Sequence, residues 1–237
     1  MERTTITLHT GFPVGPVDPR IFGGFLEHMG RSIYEGVFEP GSVHADEAGL
    51  RSDVLAALDR LDLPVVRYPG GNFVSGYHWR DGVGPVADRP RRREQAWSSI
   101  EPNTFGTNEF MGLCAKLDWT PMLAVNLGTG TPEEAADWVE YCNGRTGTAT
   151  ADLRAEHGHP EPHRVPLWCL GNEMDGPWQL GHAPAGHYAV RALQAARMMR
   201  NVDRSIELVA CGSSLPDLDT YLEWDREVLD YLGSAVH

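Results

Sequence analysis

Leu167-Trp168-Cys169-Leu170-Gly171-Asn172-Glu173 sets four apolar residues in a row and then breaks into a glycine, an amide and a carboxylate. A short unbroken apolar run suits a parallel strand buried on both faces. The same grammar recurs on either side. Ile21–Glu27, Val65–Pro69, Met122–Leu127 and Ile206–Cys211 also read as strands. Three of these run into Pro69-Gly70-Gly71-Asn72, Asn126-Leu127-Gly128-Thr129-Gly130 and Cys211-Gly212-Ser213-Ser214, and the first ends in Glu27-His28.

Helical patterns fill the intervals. Leu50, Val54, Leu58 and Leu61 share one face, as do Phe110, Leu113, Cys114 and Leu117. Thr131-Pro132-Glu133-Glu134 reads as an N-cap, a proline at the first helical position and a capping-box glutamate. Ala135, Trp138, Val139 and Cys142 then make a buried stripe, and Gly144 a stop. Two further helices cover about 184–202 and 218–232. Five βα units in succession define an α/β protein with a parallel sheet, either doubly wound or closed as a barrel. No phosphate-binding glycine signature follows the first strand, and Gly128-Thr129-Gly130 lacks the lysine of a P-loop. A (β/α)8 TIM-type barrel needs eight strands. The pattern supplies five, with 233–237 at most beginning a sixth, so the expectation is a barrel truncated after about five βα units. A complete five-stranded α/β domain is the rival. Thr4–Thr10 alternates polar and apolar residues and reads as a half-exposed strand of another sheet. That divides the chain into residues 1–18, an N-terminal strand, and 19–237, the partial barrel. The segment Asp81–Asn103 reads as a long loop over one end of the sheet, a length more often functional than idle.

The net charge of −13 over 237 residues disfavours unassisted binding to nucleic acid or an anionic membrane, and leaves neutral ligands such as sugars unpenalised. Arg89-Pro90-Arg91-Arg92-Arg93 is the one basic cluster and reads as a solvated loop. No apolar run approaches a membrane span and no secretory leader follows Met1, so the expected location is cytoplasmic. Cys114, Cys142, Cys169 and Cys211 lie far apart and read as buried reduced thiols. The ten histidines show no metal-ligand spacing, so neither metal nor cofactor is expected.

The candidate chemistry gathers at strand ends, where parallel α/β barrels carry their sites. Glu27, His28, Asn72, Asn126, Asn172 and Glu173 stand there. Cleaving a glycosidic bond needs one carboxyl to protonate the leaving oxygen and a second to attack or stabilise the anomeric carbon. Glu173 beside Asn172 is the strongest acid; capping of the next segment is its bland alternative. Glu27 could be a second carboxylate or an ion-pair partner of Arg31, and Asn72 a turn residue in a left-handed conformation. Trp79, Trp97, Trp168 and Trp178 offer rings that stack on sugars, although a core role is the commoner fate of any one tryptophan.

These residues sit in longer stretches that resemble a known family. Ile21-Phe22-Gly23-Gly24-Phe25-Leu26-Glu27-His28, Tyr68-Pro69-Gly70-Gly71-Asn72-Phe73, Pro102-Asn103-Thr104-Phe105-Gly106-Thr107-Asn108-Glu109-Phe110 and Gly171-Asn172-Glu173-Met174-Asp175-Gly176-Pro177-Trp178 are similar to motifs of glycoside hydrolase family 51, the intracellular α-L-arabinofuranosidases. The resemblance implies a retaining enzyme on a (β/α)8 barrel, with an accessory β-sandwich to which the N-terminal strand contributes. It implies that Glu173 is the general acid/base and Asn172 its sugar-binding neighbour. Glu27 and Asn72 would bind the arabinofuranosyl ring, and Trp97 would wall the sugar subsite. The family's nucleophile, a glutamate ending the seventh strand, has no counterpart among these residues, so the chain by itself is expected to be weakly active or inactive. The substrate implied is an arabinose-containing oligosaccharide from arabinan or arabinoxylan, and the assembly implied is a homo-hexamer. The alternative of another class is a non-catalytic sugar-binding or scaffold fragment completed by a second polypeptide.

Overall fold

The computed structural model describes residues 4–236. Its main sheet contains β1 (Gly24–Phe25), β2 (Val65–Tyr68), β5 (Thr120–Val125), β6 (Leu167–Leu170) and β7 (Glu207–Ala210), in that spatial order. Every neighbouring pair is parallel. The spatial order follows the chain without reversal. A doubly wound sheet reverses at a switch point; winding in one direction is the rule of the barrel. Of the two parallel topologies open to the sequence, the structure has the barrel type.

Each strand shows one side to the helices. Tyr68, Leu123, Val125, Trp168, Leu170 and Leu208 join the large core with Phe110, Trp138, Tyr188 and Met199. The opposite side carries a smaller cluster of Val74, Ala124 and Cys169, flanked by Met122 and Val209. Registered pairs Ala124↔Cys169 and Cys169↔Val209 place small residues side by side on that inner surface. The helices are α1 (Ser52–Asp59), α2 (Thr107–Leu117), α3 (Pro132–Asn143), α4 (Ala149–Glu156), α5 (Ala185–Val202) and α6 (Glu223–Leu232). Ala189, Ala192, Ala195 and Ala196 make a fully buried small-residue face on α5, which lets it approach its neighbours closely.

Several elements differ from the sequence reading. The first strand shrinks to two residues because Pro19–Phe22 winds into a 3-10 turn. Asp18 starts that turn by accepting from Arg20 N–H at 2.9 Å. Residues 4–18 are exposed and pair with no strand among the described residues, so the alternation at Thr4–Thr10 makes no ladder in this structure. Met1–Arg3 and His237 lie outside the described residues, and 233–235 form a 3-10 turn rather than a strand start. Thr131 caps α3 by accepting from Glu134 N–H at 3.0 Å. The Glu134 side chain does not complete a capping box: its Oε1 bonds His78 Nδ1 at 2.9 Å. The segment 81–103 is not structureless. It holds 3-10 turns and an antiparallel hairpin of β3 (Arg92–Arg93) and β4 (Ile100–Glu101). Helix α4 carries no apolar stripe that marks it in the sequence. It is held by Arg154, wholly buried, whose guanidinium donates to the carbonyls of Tyr141, Gly144, His159 and Pro160 at 2.8–3.0 Å. Two of those carbonyls end α3, where helix carbonyls lack partners and a cation is favoured.

Candidate active site

The C-terminal ends of β1, β2, β6 and β7 converge on one polar cluster. Glu27 lies two residues past β1 and is 5% exposed. Its Oε1 accepts from Phe73 N–H at 3.0 Å and from the Trp97 indole N–H at 3.2 Å. It does not pair with Arg31, which bonds Glu35 instead. Two glycines make room for it. Gly70 has φ +130°, and a Cβ there would stand 2.2 Å from Glu27 Cγ and 2.7 Å from its Cα. A Cβ on Gly71 would lie 3.2 Å from Glu27 Oε2. The Gly-Gly pair after the cis Tyr68-Pro69 bond is thus the cradle of a carboxylate.

Asn72 opens a 3-10 turn and is not left-handed. Its Oδ1 accepts from Asn172 Nδ2 at 3.4 Å, joining the ends of β2 and β6. The left-handed residue is Glu173 itself, with φ +46°. Strain of this kind in a non-glycine residue persists where the surroundings impose it, commonly at functional sites. Among the described residues the Glu173 carboxylate accepts from no helix N–H; its Oε2 accepts from the Trp178 indole at 2.8 Å. Gly176 permits that contact, since a Cβ there would lie 2.6 Å from the Trp178 ring. Asp175 then ties this loop to the end of β7, accepting from Ser214 N–H at 2.8 Å and from its hydroxyl.

The four tryptophans divide. Trp79 and Trp168 are buried against Trp138, one stacked and one edge-on, and belong to the core. Trp97 and Trp178, 40% and 44% exposed, each give an indole N–H to a site carboxylate. Asn126 is fully engaged in its own turn, bonding Tyr77 O, Thr129 Oγ1 and the N–H groups of Gly128 and Thr129. It is a turn organiser.

Beside Glu173 opens a cavity of about 250 Å³, lined among others by Arg67, Asn172, Cys211, Ser213 and Ser214. Arg67 is a site residue that the sequence reading passed over. Its one signal is a lone charge within the apolar strand Val65–Tyr68, on the inner face where its partner in register is Met122. His28 was grouped with Glu27 but points into a separate buried network. Its Nδ1 donates to Glu101 Oε2 at 2.9 Å, and its Nε2 meets the Tyr68 hydroxyl at 2.9 Å. Glu101 also accepts from Asn103 N–H at 2.7 Å and from the Tyr34 hydroxyl. Burial alone would raise the Glu101 carboxyl, but the His28 contact and these donors outweigh it and hold it below the usual range. The hairpin carrying Trp97 is thereby anchored to the strand end carrying Glu27. At the hairpin tip the buried Glu94 carboxylate accepts from Ala96 N–H at 2.5 Å and Trp97 N–H at 2.6 Å, fixing the backbone that presents the indole.

Among the described residues no group of three or more His, Cys, Asp or Glu could hold a metal ion, and no helix is long and apolar enough to cross a membrane. The four cysteines are buried free thiols. Burial pushes Cys211 and Cys114 up to about 12, so they are protonated and unreactive at neutral pH.

The chain is similar to known proteins. The chain is 50% identical over 231 residues to an intracellular exo-α-(1→5)-L-arabinofuranosidase of Acetivibrio thermocellus, covering 98% of this chain and 46% of that protein. It is 54% identical over 231 residues to the enzyme of the same name from Streptomyces lividans, covering 97% and 35%. Among solved structures, a family 51 α-L-arabinofuranosidase from Bifidobacterium longum superposes with a TM-score of 0.92 at 46% identity, covering 95% of this chain and 45% of that one. An arabinose complex of the Thermotoga maritima α-L-arabinofuranosidase gives 0.89 at 45% identity, with 94% and 45% covered. The chain thus spans less than half the length of these relatives. The model of the α-L-arabinofuranosidase 1 domain matches residues 57–232, and with these relatives it shows that the chain belongs to the α-L-arabinofuranosidases of glycoside hydrolase family 51.

Proposed function

We propose that this chain supplies the acid/base and much of the sugar-binding wall of a retaining exo-acting α-L-arabinofuranosidase. The observation that carries this reading is the pairing of two strand-end carboxylates with two half-exposed indoles, Glu27 with Trp97 and Glu173 with Trp178, around the Asn72–Asn172 contact. In the reaction Glu173 protonates the departing glycosidic oxygen and later takes a proton from the attacking water. Asn172, Asn72 and Glu27 hold ring hydroxyls, and Trp97 walls the subsite. Arg67, on the inner face beside Asn172, adds a donor fork to the floor.

Glu27 does not serve as the nucleophile. Its Oε1 already accepts two hydrogen bonds, which lower a carboxylate's readiness to attack, and its cradle of Gly70 and Gly71 fixes it on the first-strand side. The attacking carboxylate comes from outside these 237 residues, and the chain alone binds arabinofuranosyl groups without turning them over. The exposed alternating stretch 4–10, with Ile6 82% and Leu8 91% exposed, joins an accessory β-sandwich. The two relatives cited first are named intracellular. We extend that location to this chain as a cytoplasmic enzyme acting on arabinose-containing oligosaccharides.

The test is Glu173→Gln in a polypeptide that also carries the nucleophile. Substrates with poor leaving groups should slow about 10²–10⁴-fold, the usual contribution of general acid–base catalysis, while aryl glycosides with good leaving groups lose much less in the first step. A variant as fast as wild type on poor leaving groups removes Glu173 from the acid role.

A further inference from the structure

The turn that carries Glu173 hangs from the end of the next strand by contacts that play no part in the chemistry itself. Glu173 opens a tight turn closed by Gly176 N–H, which donates to Glu173 O at 2.8 Å. Its φ of +46° is a conformation that a glutamate leaves unless its neighbours hold it. Among the described residues, Asp175 supplies the one side chain of the turn 173–176 that hydrogen-bonds outside the segment 171–183. Asp175 is 3% exposed, and both its carboxylate oxygens are used: Oδ2 accepts from Ser214 N–H at 2.8 Å and Oδ1 from the Ser214 hydroxyl. Hydrogen bonds to an ionised acceptor are roughly twice as strong as neutral ones. The adjacent Asn72–Asn172 bond, between neutral amides at 3.4 Å, is the weaker tie.

Ser214 is itself held fast. Ser213, just before it, gives its N–H at 2.9 Å and its hydroxyl to Asp225 in the first turn of α6. A Cβ on Gly212 would lie 2.8 Å from Asp225 Oδ1, so a glycine there admits the carboxylate. Trp224 donates its indole N–H to Cys211 O at 3.0 Å. The Tyr188 hydroxyl of α5 accepts from Cys211 N–H at 2.8 Å and donates to Leu170 O at 2.9 Å, which locks the ends of β7 and β6 together. Tyr188 and Trp224 are buried and stacked on each other. Two consecutive serines thus grip two carboxylates from different elements. Asp225 fixes the loop after β7 to its helix, and Asp175 suspends the Glu173 turn from that loop.

We propose that Asp175 and Ser214 are positioning residues for Glu173, acting through the turn rather than on the substrate. The catalytic consequence rests on the acid/base reading of Glu173; the first readout does not. In the ¹⁵N-labelled 237-residue chain the Trp178 indole N–H reports its contact with Glu173, and Glu173→Ala gives the resonance of the released indole. Asp175→Ala should move the resonance at least halfway to that value. Ser214→Ala, which keeps the backbone N–H, should move it less in the same direction and carries the comparison if Asp175→Ala does not fold. Ser214→Thr, which keeps both donors, should leave it in place. So should Arg154→Lys, which weakens α4 and touches none of these residues. In a polypeptide that also carries the nucleophile, Asp175→Ala should lower kcat on substrates with poor leaving groups at least about tenfold with KM within about twofold, and Ser214→Thr should match wild type. A Trp178 resonance unmoved in Asp175→Ala and Ser214→Ala overturns the proposal, whatever the change in Tm. If Glu173→Gln slows poor leaving groups and Asp175→Ala does not, the tie is structural only and the proposal fails. If the resonance moves but neither variant slows them, the tie stands and the acid reading of Glu173 falls.

Discussion

Replacing Gly70 with alanine attacks the cradle of Glu27 directly. At φ +130° an L-residue is strained whatever space surrounds it, a cost of about 1–3 kcal/mol. The added Cβ would stand 2.2 and 2.3 Å from Glu27 Cγ and Cβ and 2.7 Å from its Cα. A flexible side-chain end could swing away; the Cα cannot move without carrying the end of β1. Overpacking of that kind costs about another 1–3 kcal/mol. The expected total is roughly 4 kcal/mol, or a melting temperature lower by about 8–16 °C for a chain of this size. The assay is equilibrium urea unfolding followed by tryptophan emission. Gly112→Ala is the control: Gly112 lies inside α2 with open space around its Cβ position, so alanine there should stabilise by about 0.5–1 kcal/mol. A Gly70→Ala protein within about 0.5 kcal/mol of wild type, with the Trp97 emission unchanged, would refute the argument that Gly70 exists to admit Glu27.

Burial, with the neighbouring His159 and Arg154, pushes His163 down to about 4. The unfolded chain, with an ordinary histidine near 6.5, binds that proton first, so stability is whole above about pH 6.5 and is lost as pH falls towards 4. At pH 5 the loss is about 2 kcal/mol, and His163→Gln should remove most of it relative to wild type in parallel urea melts; an unchanged difference between pH 7 and pH 5 contradicts this. Arg154→Lys should destabilise by about 2–4 kcal/mol, because an ammonium cannot reach four separate carbonyls, and a loss under 1 kcal/mol by calorimetry would show that α4 does not depend on the fork. Glu101→Ala strands His28, Asn103 N–H and the Tyr34 hydroxyl in a buried network, so it should cost about 3–5 kcal/mol and weaken the Trp97 contact, read as a shifted indole resonance.

What could be read from the sequence was what repeats. The apolar runs ending in glycine and polar residues gave the strands of the sheet, with Leu167–Leu170 matching β6 residue for residue. The cap at Thr131 marked the start of α3. Features decided by distant partners stayed hidden. Strands β3 and β4 are two residues each, mostly exposed and rich in arginine, so they carry no periodic signal. Helix α4 is polar and short, and its anchor Arg154 looks like any surface charge until the carbonyls around it are seen. Arg67 is one charge in an apolar strand, and its face is told only by its neighbours in the sheet: Val66 and Tyr68 join the large core, while Arg67 registers with Met122. Glu134 satisfied a local rule on paper, yet His78, fifty-six positions earlier, competes for it better than the helix end does. Among the candidate site residues, types and strand-end positions were legible. The indole partners of Glu27 and Glu173 were not: Trp97 reaches Glu27 from seventy positions away, and the Trp178 contact depends on Gly176 making room for the ring.

The most direct test of the account is hydrolysis of an aryl α-L-arabinofuranoside by the purified 237-residue chain, with L-arabinose binding followed on the same sample through Trp97 and Trp178 emission. The account predicts binding that weakens in Asn72→Ala and no turnover above background. Turnover that disappears in Glu173→Gln would contradict it, because a second catalytic carboxylate would then lie within these residues.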